Sequence, residues 1–137
     1  MYLEKILIKN FKAIKDMKLE FNPGVNVLIG DNGTGKSSIL EAIAVALSGA
    51  LKGIKGVTTR GILQNDIHFE MDESGDASSS VHYFTPTEIE VDLKHRENHF
   101  YLKRFRLDED GRSATKQEDD GIVKWMQSLT SDADAIL

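Results

Sequence analysis

A short apolar run, a glycine-rich segment and an amphipathic run follow one another over residues 25–47, and few folds accommodate that order. Residues 27–38 read V-L-I-G-D-N-G-T-G-K-S-S and match G-x-x-x-x-G-K-[ST] at every fixed position. The run at 25–29 suits a buried strand. Ile39, Leu40, Ile43, Ala44 and Leu47 recur at helical spacing, and Ala42 and Ala46 allow such a helix to approach a sheet closely. A strand that passes through glycines into a helix start turns successive backbone N–H groups toward one point, where the helix dipole also favours negative charge.

That geometry is a cradle for a polyphosphate. Gly30, Gly33 and Gly35 permit backbone angles and approach distances that a Cβ would block. Lys36 brings a point charge to the β- and γ-phosphates, the Ser37 hydroxyl is the expected magnesium ligand, and Ser38 assists by hydrogen bonding. Asn32 and Thr34 complete the loop. The competing reading, a glycine-rich turn that happens to precede a helix, does not account for both flanks. The expected ligand is a purine nucleoside triphosphate, ATP with Mg2+.

Around this centre, residues 2–9 are rich in β-formers and predict a strand closed by Asn10 and Phe11. Residues 17–21 alternate apolar and charged, and Asn22-Pro23-Gly24 signals a turn. Glycines 49, 53, 56 and 61, interleaved with Lys52, Lys55 and Arg60, read as an irregular connection, and 72–80 as a solvated loop. Strict alternation over 88–94 puts Ile89, Val91 and Leu93 on one strand face; a turn at 96–98 then returns 100–107 as the antiparallel partner. Ile122, Val123, Trp125, Met126 and Leu129 predict a helix behind Asp119 and Asp120. The expected organisation is therefore strands, loop and helix over 1–62, a β-hairpin over 81–107 and a helix over 117–130.

The 137 residues fit one domain, and no cysteine is present, so disulfides, thiolate metal sites and cysteine nucleophiles are excluded. No apolar run approaches the roughly 20 residues of a membrane span, which suggests a cytoplasmic protein without a membrane partner. Residues 1–62 hold 9 Lys/Arg against 5 Asp/Glu, and residues 63–137 hold 8 against 17. A mildly basic first half suits phosphate ligands, but the net charge of −5 is not the footprint of a self-sufficient nucleic-acid binder.

The remaining parts of an ATPase are not apparent. No four-residue apolar run ends in the acidic pair of a Walker B element. Leu47-Ser48-Gly49-Ala50 looks like the start of an LSGGQ signature, yet it ends the predicted helix where a signature should open one, and it reads as a helix C-cap region. No Asn-Lys-x-Asp guanine-reading motif accompanies the loop, which argues against a GTPase.

With these residues in view, LEKILIKNFKAIKDMKLEFNPGVNVLIGDNGTGKSSILEAIAVAL resembles the opening of ABC-type heads in the SMC, RecF and RecN group of AAA-type P-loop ATPases, which includes double-strand-break-repair and defence ATPases. The likeness covers residues 2–48 and rests on the strand ending in Asn10-Phe11, the short strand before Pro23-Gly24, and the form G-x-N-G-x-G-K-S-S. It implies an α/β fold, a P-loop NTPase (ABC-ATPase-like) N-terminal lobe with an added antiparallel β-sheet. By position, Lys12 matches a basic residue that lies near the nucleotide in such heads. The resemblance further implies that complete heads dimerise around nucleotide and couple ATP hydrolysis to DNA repair, DNA processing or defence, with DNA reached through the full-length protein. Hydrolysis is expected only where a lobe with Walker B and signature motifs comes from further sequence or a partner. An ABC-transporter subunit shares the P-loop but not a first strand like ILIKNF; a nucleotide-binding interaction module without hydrolysis is the other alternative. Gln64 is a candidate Q-loop glutamine, or else a surface residue, with Gln117 and Gln127 no stronger.

Other signals carry less. Glu88, Glu90 and Asp92 read as a solvated sheet face before they read as catalytic carboxylates. His95 and His99 flank a turn and lack a third metal ligand. Lys103, Arg104 and Arg106 with Phe100, Tyr101 and Phe105 read as cations on a wet face above a core, in preference to a nucleic-acid surface.

Overall fold

The structure, a computed structural model, describes residues 1–24, 35–72 and 80–136. Five strands form one antiparallel sheet: β1 (Tyr2–Phe11), β2 (Ile14–Glu20), β5 (Thr87–His95), β6 (Asn98–Arg106) and β7 (Lys116–Asp119), in the order β2-β1-β5-β6-β7. A separate pair, β3 (Phe69–Asp72) and β4 (Ser80–Tyr83), continues from the end of β1, where Phe11 bridges Ile67 and the His68 amide donates to the Asn10 carbonyl at 2.9 Å. Helix α1 (Lys36–Ala50) packs on β1, β5 and β6, and α2 (Ile122–Ile136) packs on α1 and β6.

The period of two decides which side chains enter the core. Ile6 and Ile8 of β1 pair with Val91 and Ile89 of β5, and Leu102 of β6 pairs with Val91; all five are at most 1 % exposed. Each such side chain contributes about 1.5–3 kcal/mol on burial. On the opposite face Lys5 meets Asp92 at 3.2 Å, and Lys103 lies 3.2 Å from Glu88 and 3.6 Å from Glu90. Burial works against the Lys103 ammonium, but its hydrogen bond to Glu88 and the charges of Glu88 and Glu90 together raise its pKa. The carboxylates at 88, 90 and 92 are thus paired with cations across the outer sheet face. The two strands at the edges of this sheet among the described residues, IKDMKLE and KQED, are charged, which discourages pairing with further strands.

Helix α1 lies close to the sheet because the face it buries is made of small residues. Ala42 and Ala46 are fully buried and Ala50 nearly so, at successive i, i+4 positions, with Ile39 and Val45 beside them. Gly49 extends that face: a Cβ there would lie 2.5 Å from Arg104 Cδ and 2.6 Å from Gln117 Oε1. Gly49 therefore serves close packing inside α1, which runs on to Ala50. The second helix is anchored by Trp125, whose ring lies 5.2 Å from His95 and 5.1 Å from Phe100.

Three expectations are corrected. Lys116–Asp119 pairs with β6 as β7, so the helix expected over 117–130 starts at Ile122; Asp119 caps the Gly121 amide at 2.9 Å and Asp120 accepts from the Tyr101 amide at 2.8 Å. The hairpin expected over 81–107 occupies Thr87–Arg106, while Ser80–Tyr83 pairs with Phe69–Asp72, so both ends of the segment read as a solvated loop over 72–80 are strand residues. Finally, Arg104 and Arg106 are 5 % and 3 % exposed on the inner face in line with Leu102, whereas Tyr101, Lys103 and Phe105 face outward. Arg104 Nη1 donates to the carbonyls of Val45 (2.9 Å) and Arg60, and Arg106 donates to those of Ile62 (3.0 Å), Asp108 (3.0 Å) and Asp110. At this end the sheet is covered by irregular chain, whose carbonyls need donors, and guanidinium forks supply several each. Burial lowers the Arg104 pKa from its ordinary value.

Gly49→Ala should destabilise the protein by about 1–3 kcal/mol through overpacking against Arg104 and Gln117. The measurement is urea denaturation, with a lower midpoint expected at unchanged slope.

Candidate functional site

The site is built at the start of α1. Gly35 is the N-cap residue, with φ 89° and ψ 4°. A Cβ there would meet only ordinary contact with Ile14 Cγ1 at 3.5 Å, so the glycine is required by its left-handed backbone. Helical hydrogen bonding begins with the Ile39 amide donating to the Gly35 carbonyl at 2.9 Å, which leaves the preceding amides without an acceptor inside the helix. No side chain caps this end and the first turn contains no acidic residue. The positive end of the α1 dipole is therefore uncompensated by the helix's own residues.

Lys36 and Ser37 are exposed at this end, whereas Ser38 is 7 % exposed and turned toward the β1–β2 connection, where its hydroxyl accepts from the Ala13 amide at 3.4 Å. Of the expected phosphate-loop residues, Gly35, Lys36, Ser37 and Ser38 are thus placed at one helix start. Gly30, Asn32, Gly33 and Thr34 lie outside the described residues, as does the strand expected at 25–29.

Lys12 sits in the two-residue turn between β1 and β2, one position before Ala13. Its φ of 50° is unusual for a residue with a Cβ, and its backbone is held from both sides: the amide donates to the Asp66 carbonyl at 2.6 Å, and its carbonyl is 2.6 Å from His68 Nδ1. The side chain reaches Glu41 of α1, with Nζ to Oε2 at 2.5 Å, and Asp66 Oδ1 at 3.5 Å. The hydrogen bond to Glu41 raises the Lys12 pKa; partial burial opposes it, and the charges of Glu41 and Asp66 add to it. Lys12 and the helix start are neighbours through Ala13 and Ser38.

Asp66 and Glu41 were not distinguished by any motif. Each meets Lys12 from a segment remote in sequence, and the only local hint is Asp66 accepting from the Leu63 amide at 2.8 Å in a short 3-10 turn (Gln64–Asp66). The candidate glutamines have structural engagements: Gln64 donates to the Glu109 carbonyl at 2.7 Å and Gln117 to the Gly49 carbonyl at 3.0 Å. His95 packs against Trp125 with the rings tilted at 51°, and His99 meets Glu4 at 3.1 Å; among the described residues no group of three or more His, Asp or Glu is arranged to hold a metal ion. No helix among the described residues is long and apolar enough to cross a membrane.

Comparison with known proteins agrees with this architecture. The AAA domain family matches residues 5–134. A DNA double-strand break repair Rad50 ATPase of Archaeoglobus fulgidus is 55 % identical over 65 residues, 47 % of this chain and 6 % of that protein. A Rad50 ATPase of Thermoplasma acidophilum is 35 % identical over 77 residues, 55 % of this chain and 9 % of that protein. A DNA replication and repair protein RecF of Listeria welshimeri is 46 % identical over 43 residues, 31 % of this chain and 12 % of that protein. These matches cover only a small share of the curated relatives' lengths. A solved structure from work on ATP-driven dimerization and DNA-stimulated activation of SMC ATPases shares the fold with a TM-score of 0.57 at 23 % identity, over 90 % of this chain and 76 % of that one. The chain belongs to the AAA domain family, and within it resembles the N-terminal part of the ATPase heads of the SMC, RecF and Rad50 group.

Proposed function

We propose that this chain binds ATP with Mg2+ at the start of α1, as the N-terminal part of an SMC/RecF-like ATPase head that couples nucleotide to DNA repair or DNA processing in the cytoplasm. The observation that carries the reading is the uncapped, acid-free start of α1 placed directly after G-x-N-G-x-G, with Lys36 and Ser37 exposed on it and the Lys12 turn packed alongside. The donor set suits the ligand: backbone amides and two ammonium groups for phosphate oxygens, and a primary hydroxyl for a hard cation. Gly30, Asn32, Gly33, Thr34 and Gly35 would wrap the phosphates, Lys36 would meet the β- and γ-phosphates, and Ser37 would ligate magnesium. Ser38, already bonded to the Ala13 amide, would tie the loop to the Lys12 turn.

Magnesium would neutralise charge that develops on the β- and γ-oxygens. The relatives' names support a role in DNA repair, and the SMC neighbour supports dimerisation of complete heads around nucleotide with DNA as the further partner. No Walker B pair is present in the sequence, so turnover would depend on a lobe supplied in addition to these residues.

Calorimetric titration with ATP and GTP, with and without magnesium, tests the reading. ATP-Mg should bind, and Lys36→Ala should weaken binding at least about tenfold, equivalent to about 1.4 kcal/mol, at unchanged thermal stability. Wild-type protein that takes up no ATP in the presence of magnesium would refute the proposal. Ser37→Ala should retain most of the magnesium-free affinity for ATP while losing the gain that magnesium brings, by about three- to tenfold.

A further inference from the structure

Asp66 is the one acid among the buried polar residues of the described structure, at 1 % exposure. A carboxylate removed from water must be compensated by donors and cations, and which ones it has chosen is informative. Oδ2 accepts from the Leu63 amide at 2.8 Å; Oδ1 accepts from Arg60 Nη2 at 3.1 Å and lies 3.5 Å from Lys12 Nζ. Its backbone carbonyl takes the Lys12 amide at 2.6 Å. One residue therefore grips Lys12 at both ends, by main chain and by ammonium.

Resting on the nucleotide-binding role above, we propose that Asp66 is the positioning residue for Lys12, holding its ammonium beside Glu41 in the second turn of α1, from where the phosphates of a bound triphosphate take it up. The lysine stem has four rotatable carbons and would otherwise sample many positions. A left-handed turn fixes where the stem begins, and the buried carboxylate limits where it ends. Glu41 plays a different part. Its side chain is 44 % exposed, against 2 % for that of Asp66; the Oε2 atom on Lys12 is itself covered, but the rest of the side chain has solvent to turn into, so Glu41 is the partner that can be displaced. A triphosphate carries more negative charge than one carboxylate and displaces Glu41, while Asp66 stays locked by Arg60 and Leu63. The raised Lys12 pKa agrees with a cation held charged between two carboxylates.

The test is the ATP-Mg dissociation constant of the wild type, Lys12→Ala, Asp66→Asn and the double variant, with circular dichroism on each. Asparagine keeps an oxygen for the Leu63 amide and puts an amide nitrogen where Arg60 and Lys12 met the second oxygen, so both the charge and that acceptor are removed. Asp66→Asn is expected to weaken binding about fivefold, Lys12→Ala about tenfold, and the double variant no further than Lys12→Ala, since the two act as one unit. Losses that multiply in the double variant, or an Asp66→Asn affinity within twofold of a wild type that binds, overturn this inference and leave the nucleotide-binding role standing. A wild type that does not bind removes both. If Asp66→Asn fails to fold, Glu41→Gln at its partly exposed position decides: about two- to fivefold tighter binding is expected from freeing Lys12 of its competitor. Weaker binding there assigns the hold to Glu41, and unchanged binding shows that Lys12 has no competitor to be freed from; either result overturns the inference.

Discussion

Burial of one face of the antiparallel sheet beneath α1 is the contact on which the remaining structure depends. Ile6, Ile8, Ile89, Val91 and Leu102 present an apolar surface by alternation, and Ala42, Ala46 and Gly49 let the helix settle on it without holding it at arm's length. Because α1 is held there along its length, its first turn has a defined position relative to the β1–β2 turn. An anion site made of backbone amides needs that rigidity, since amides contribute only when they point at a common centre.

The polar contacts follow from the same arrangement. Toward its end the inner face of β6 passes from the last turns of α1 to irregular chain around residues 60–62 and 108–110, and here Arg104 and Arg106 replace aliphatic side chains. A carbonyl that no strand or helix satisfies is costly when buried, and a guanidinium with five donors answers several at once. Arg104 also binds Val45, so the connection after α1 is fastened to the helix it leaves. At the opposite end of α1 the Asp66 cluster fastens the β1–β2 turn, joining segments that are separated by more than fifty residues.

Much of this was legible beforehand. Residues 88–94 alternate so strictly that face assignment needed no partner, and Thr87–His95 is a strand with Ile89, Val91 and Leu93 buried. The spacing of Ile39, Leu40, Ile43 and Leu47 located α1, and the glycine-lysine-serine run marked its start as the candidate site. Faces on β6 were read by polarity, and that failed: KRFR looks like a wet stripe, but period two obliges Arg104 and Arg106 to follow Leu102 inward. KQED was absorbed into the following helix because a four-residue edge strand with no apolar residue carries no pattern of its own; β6 recruits it through backbone hydrogen bonds.

What the sequence by itself determined was local: periodicities of two and of three to four residues, and a loop chemistry in which glycines, lysine and serine stand in an order that suits phosphate. Such information survives without a partner because it concerns neighbours along the chain. The structure alone decided the contacts between distant segments, namely Asp66 and Glu41 on Lys12, Arg104 and Arg106 on loop carbonyls, and Gly49 against Arg104. Their common physical reason is that a buried charge or an unpaired carbonyl selects its partner by proximity and desolvation, and neither is defined until the chain has folded.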